Sequence, residues 1–273
     1  MNINQSVILK LLSYCLLFMS PLFSFSQKLP AVQLKSLRIP SNFIIDGKAD
    51  EWNNSLQAHN KNTDILYTIA NDDVNIYLVI QTISPSIIYK VIKGGITLTV
   101  NPTAKKFNGS IKSITFPVIS ENGKSVILQT LGKAQPILYT SNYSLSSKDS
   151  ITKVLNHQLL TYSKEIRISG IKTIADTSIS IYNKNGVKSI GLFNNTCVLT
   201  YEFLIPLSAL DLSIEGPGKF YYNVKLNGQS SVVASGLSSD GLAVVSTERR
   251  SNTSLSSESE FPTFFWADYK LIK

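Results

Sequence analysis

Two histidines, His59 and His157, and a few carboxylates in turns are the side chains with which this chain could do acid–base or metal chemistry. The histidines stand in unrelated contexts, and neither has the close spacing that puts two imidazoles on one metal ion. Asp72 and Asp73 are adjacent in a turn, so their side chains diverge, whereas a glycoside-cleaving pair must face one bond. No Gly-x-Ser-x-Gly elbow and no glycine-rich phosphate loop is present. The expectation is therefore a non-catalytic protein. Asn71, Asp72, Asp73 and Asn75 offer hard oxygen ligands in one short turn, a pattern that suits calcium and equally an ordinary Asx-rich turn. Trp266, Tyr139 and Tyr143 are candidates for a flat aromatic platform under a ligand.

The formal charge of +8 comes from scattered lysines, with no run of five or more cations, so nucleic acid is not an expected partner. A weak attraction to acidic glycans or lipid head groups is compatible with it. Lys10, the apolar run Leu11 to Phe25 broken by Pro21, and the small residues Ser24 and Ser26 have the order of a secretory signal, with cleavage expected after Ser26. As a membrane anchor the run is too short, at fewer than the ~20 apolar residues a spanning helix needs. Cys15 follows Tyr14 in mid-run, which argues against a lipid-modified cysteine. The expected product is residues 27–273, exported to the periplasm or cell surface, with no transmembrane span left after cleavage. Within it Cys197 is alone, so no intrachain disulfide forms, and its strand-like flanks predict a buried free thiol.

The positioning elements are mostly strands. Period-2 alternation of β-branched and aromatic residues marks 65–70, 76–81, 96–100, 113–118, 165–168, 177–182, 198–205, 220–226 and 264–272. Turn residues separate them, Asn183, Lys184, Asn185 and Gly186 most clearly. The middle is less regular: Val154, Leu155, Leu159 and Tyr162 share a helical face within 151–162, the apolar residues of 126–131 fit no single period, and 141–150 reads as a serine-rich connection. Residues 235–260 read as a long polar surface loop before an aromatic tail that must dock to stay soluble. The predicted fold is all-β: one domain, a two-sheet antiparallel sandwich of immunoglobulin-like or jelly-roll-like type, with one or two short helices in a middle insertion at about 104–195.

Ile45, Asp46, Gly47, Lys48, Ala49, Asp50, Glu51 and Trp52 resemble the opening signature of family 9 carbohydrate-binding modules and the related DOMON-type sandwich domains. The strand pair at Tyr67 to Ile80, the segment Tyr201 to Leu207, the strand at Tyr221 to Val224 and the ending Tyr269 to Ile272 follow in the family's order. The resemblance implies a sandwich fold, glycan binding and, in some members, structural calcium. It covers about half of the chain and leaves 104–195 unmatched. The paired tryptophans that clamp a sugar in such modules have no counterpart: Lys90 to Lys93 and Ser256 to Glu260 occupy those neighbourhoods. Related haem-binding domains use Met and His ligands, but Met1 and Met19 lie in the signal, which leaves only a His59/His157 pair.

Read from its residues, Trp52 is a core anchor, and Asp50 or Glu51 accepts backbone N–H groups at the start of a helical turn. Tyr201, Phe203 and Ile205 share one strand face, with Glu202 on the other, solvated or ion-paired. Two functions compete on this basis. One is a module binding a carbohydrate or other extracellular polymer. The other is a structural or interaction protein of the cell envelope that binds no sugar and has an envelope protein as partner.

Overall fold

The computed structural model describes residues 28–53, 55–102, 111–140, 143–216, 218–229 and 260–273. The predicted signal and nearly all of the predicted loop at 235–260 lie outside the described residues. In chain order the elements are β1 (Ala58–Asn60), β2 (Ile65–Asn71), β3 (Asn75–Thr82), α1 (Pro85–Gly94), β4 (Ile96–Asn101), β5 (Lys112–Val118), α2 (Glu121–Tyr139) and α3 (Leu145–Tyr162). They continue with β6 (Glu165–Ser169), β7 (Ser178–Ser180), β8 (Lys188–Phe193), β9 (Leu199–Pro206), β10 (Lys219–Leu226) and β11 (Thr263–Lys270). The strands form two antiparallel sheets, ordered β1-β2-β3-β9-β8 and β11-β10-β4-β5-β6-β7. This is the two-sheet sandwich that the alternation predicts.

Alternation decides which side chains meet between the sheets. Tyr67, Ile69, Leu78, Ile80, Tyr201 and Phe203 point inward from one sheet, and Leu98, Ile114, Ile166, Tyr222 and Phe265 from the other; all are buried. Each such side chain contributes roughly 1.5–3 kcal/mol of transfer free energy. The hydroxyls of Tyr67 and Tyr222 meet across the gap at 3.1 Å, so two buried phenols satisfy one another. The aromatic tail docks as expected. β11 pairs with β10 along its whole length, and Asn71 then holds the chain beyond it, with its side-chain amide donating to the Ile272 carbonyl at 2.8 Å and its oxygen accepting the Ile272 N–H at 3.1 Å.

The helices α1, α2 and α3 stand at one end of the sandwich, since α1 joins β3 to β4 and α2 and α3 join β5 to β6. α2 buries Ile127, Leu131, Ala134 and Leu138, a regular helical stripe. That stripe is blurred in the sequence by Val126 and Leu128 beside Ile127, and by Gly132 and Pro136, which act as helix breakers elsewhere. The serine-rich connection is shorter than expected: Ser144 caps α3 by accepting the Ser147 N–H at 3.2 Å, and the helix runs from Leu145. Residues 104–195 supply β5, β6 and β7 to one sheet and β8 to the other, so this stretch is woven into both layers. Among the described residues no helix is long and apolar enough to cross a membrane.

A second apolar cluster lies on the outer face of the five-stranded sheet. Ala49, Trp52 and Leu56 pack there on Ala70 and Val79, with Leu37, Ile39, Phe43 and Leu66 around them. Trp52 is buried, and the ring of Phe43 meets it edge-on at 6.2 Å.

Candidate binding face and a buried carboxylate

Glu202 sits on the outward side of β9 and is fully buried, because the segment that carries Trp52 lies across that side. The expectation of a solvated or ion-paired carboxylate is thus corrected. Its Oε2 accepts the N–H groups of Gly47 at 2.6 Å and Asp46 at 2.9 Å, and Oε1 has no partner among the described residues. Burial pushes the carboxyl up to about 8; the two N–H groups oppose the rise, and the carboxylates of Asp46 and Glu51 add to it. Gly47 makes this clasp possible. Its φ is +82°, and a Cβ there would stand 2.8 Å from Leu192 Cγ. Neither Asp50 nor Glu51 caps the 3-10 turn Asp50–Trp52: Glu51 Oε1 instead accepts the N–H of Ile44 at 3.1 Å, which ties the turn to the segment before it.

The six-stranded sheet presents a different outer face. Register places Arg167, Thr115, Thr97, Lys225 and Phe264 in one row across five strands. Ser169, Ser113, Thr99, Asn223 and Trp266 form the next row, and Asn101, Tyr221 and Asp268 begin a third. A five-strand row spans roughly 19 Å at the usual strand spacing. Hydroxyls and amides fill the middle, where Thr115, Asn101 and Asn223 are buried; aromatic side chains stand at the β10–β11 edge, and Phe264, Asp268 and Arg167 are exposed. Hydrogen bonds fix the surface: Thr97 and Thr115 hydroxyls meet at 2.7 Å, and the Asn223 amide donates to the Phe265 carbonyl at 2.7 Å. At the helical end the face deepens into a cleft of about 320 Å³ with Lys93, Lys124 and Arg167 in its wall.

Of the residues expected to bind a ligand, Trp266 lies half-buried on this face. Tyr139 and Tyr143 do not join it. Tyr139 ends α2 near Cys197 and Tyr89, and Tyr143 stands in the connection to α3. Burial raises the Tyr139 hydroxyl pKa, and Cys197 and Tyr89 raise it further. Cys197 is buried, with its thiol 3.5 Å from the Leu138 carbonyl, and burial raises its pKa against the pull of Lys148. His59 pairs with Asp64 at 3.2 Å on β1 and His157 is on α3, so the histidines occupy different layers.

The oxygens of the turn at 71–75 are spent on the turn itself. Asp72 Oδ1 accepts the N–H groups of Val74 at 2.8 Å and Asn75 at 2.6 Å; Oδ2 accepts the Tyr77 hydroxyl at 2.5 Å and the Asn75 amide at 3.2 Å. Partial burial alone would raise the Asp72 carboxyl, but these bonds outweigh it and hold the group below its ordinary value. Asn71 is engaged with Ile272, and Asp73 with Arg38 at 2.8 Å. A calcium ion would have to displace Tyr77 and two backbone donors, so these residues do not fit it. Among the described residues no three His, Cys, Asp or Glu side chains are placed to hold a metal ion.

Sequence reasoning missed Lys93, Lys124 and Arg167 because they come from α1, α2 and β6. Only strand register and helix placement bring them together. The polar rows were legible in part, since Thr97 and Thr99 alternate with Ile96, Leu98 and Val100, and Ser113 and Thr115 flank Ile114. No protein-family model matches the chain, and no curated protein matches it.

Proposed function

We propose that this chain is an exported, non-catalytic module that binds a glycan on the outer face of its six-stranded sheet. The unequal treatment of the two outer faces carries this reading. One is sealed by an apolar cluster around Trp52, while the other leaves the hydroxyls of Thr97, Thr99, Ser113 and Ser169 at least partly exposed, with Trp266, Tyr221 and Phe264 along one edge. Hydroxyl and amide groups held by the sheet match sugar hydroxyls, and a flat aromatic edge stacks on the apolar face of a pyranose. The resemblance to family 9 carbohydrate-binding modules supports the same reading. Its two main segments, at Ile45 to Trp52 and Tyr201 to Leu207, are joined through Glu202. The departure from the family is the ligand contact, since Trp266 on a sheet face replaces a tryptophan clamp.

Affinity electrophoresis of the full chain in gels containing polysaccharides tests the proposal. Retardation by at least one polymer is expected, with a loss of about ten-fold in affinity on Trp266→Ala, the scale of one stacking contact. Equal mobility in every polymer, or retardation that Trp266→Ala leaves untouched, refutes it.

A further inference from the structure

We infer that the cleft at the helical end of this face binds an oxyanion, and that the glycan is therefore an acidic polysaccharide carrying carboxylate or sulfate groups. This rests on the glycan-binding reading and specifies its ligand class. Three cations from three separate elements line one cavity of about 320 Å³: Lys93 in the last turn of α1, Lys124 in the first turns of α2 and Arg167 on β6. Among the described lining residues there is no carboxylate; of the acids nearby, Glu121 pairs with Lys124 at 2.7 Å from a highly exposed position, and Glu165, opposite Val118 on β6, accepts the Ser178 hydroxyl at 3.0 Å. The balance within the cavity is positive, which is complementary to an anion.

The rest of the wall fits the same class. Thr97 and Thr115 offer hydroxyls, and the amide of Asn227 clamps the carbonyls of Gly94 and Gly95 at 3.0 and 3.2 Å and the Thr97 hydroxyl at 2.8 Å, which fixes the rim. The N-terminus of the 19-residue helix α2 opens beside it, adding partial positive charge. Arg167 belongs to the same row as Thr115, Thr97 and Lys225. A polymer running along that row presents its acid groups to Arg167 and Lys124 at one end while its ring faces reach Phe264 and Trp266 at the other. An isolated charged patch would not require this continuity.

The test measures binding of the full chain to polygalacturonate, dextran sulfate and neutral dextran, with sodium sulfate as the free-ion arm. The variants are the double change Lys124→Gln/Arg167→Gln, Trp266→Ala and, as a charge control away from the cleft, Lys153→Gln. The inference expects tighter binding to one acidic polymer than to dextran and about a ten-fold or greater loss in the double variant. It also expects no change in Lys153→Gln and competition by salt. It is overturned if the double variant binds the acidic polymer like the parent, if Lys153→Gln loses as much, or if sulfate alone binds in the cleft with no polymer following. Binding of neutral dextran that depends on Trp266 and not on the cleft would reject the acidic class and keep the glycan reading. Absence of binding to every polymer would reject both.

Discussion

Glu202 makes stability fall as pH rises through the neutral range. Its folded carboxyl titrates at about 8 against 4.5 for the free group. Between those values the folded protein holds a proton that the unfolded chain releases, so stability declines from about pH 4.5 upward and levels off above about pH 8. Each unit of separation corresponds to about 1.4 kcal/mol, so the full span is on the order of 5 kcal/mol, most of it between pH 5 and pH 8.5. With a urea dependence of about 3 kcal/mol per molar, the unfolding midpoint should drop by somewhat more than 1 M between pH 5 and pH 8.5. Glu202→Gln keeps an oxygen for the Gly47 and Asp46 N–H groups and has no proton to lose. Its midpoint should be nearly flat over the same range and higher than the parent's at pH 8.5. Urea titrations followed by far-ultraviolet circular dichroism at pH 5, 6.5 and 8.5 measure both. A parent midpoint that stays level or climbs with pH would refute the reasoning, as would a Glu202→Gln variant that retains the slope.

Gly47→Ala forces a side chain into a left-handed backbone position against Leu192 and should cost about 1–3 kcal/mol, read as a lower urea midpoint without loss of the β-sheet spectrum. Gly191→Ala is more severe, because its Cβ would fall 2.0 Å from the Tyr201 ring; loss of soluble folded protein at 37 °C is expected, and a melting temperature within a degree of the parent's would contradict the packing described. Deleting residues 264–273 removes Phe265 and Tyr269 from the core together with the Asn71 clasp, and should abolish cooperative unfolding. Millimolar calcium should leave the melting temperature unchanged, since Asp72 already uses both oxygens; a rise of several degrees, reversed by chelator, would show otherwise.

What could be read from the chain and what could not divides along physical lines. Strands such as Ile76 to Gln81 and Phe220 to Leu226 announce themselves by local alternation, and β3 and β10 lie where that pattern puts them. The strand β8 was missed because Gly191, needed to clear Tyr201, interrupts its pattern. The helix α1 was missed because Ile87, Ile88, Val91 and Ile92 fit in ten residues, too few for a period to emerge. The environment of Glu202 depends on a segment more than 140 residues earlier folding over it, and no window of sequence contains both. Trp266 was recognisable by type. The cleft cations were not, because each is an ordinary surface residue until three elements converge.

Both sheets are closed across long stretches of chain. β3 pairs with β9, so Ile80 meets Tyr201, and β4 pairs with β10, so Val100 meets Tyr222, each more than a hundred residues later. Neither central pairing forms early by chance, because two distant partners must find one another before any ladder bond rewards the search. The polypeptide should consequently fold slowly. It spends that interval with its strand edges unmatched, open to pairing with the unfinished sheets of neighbouring copies.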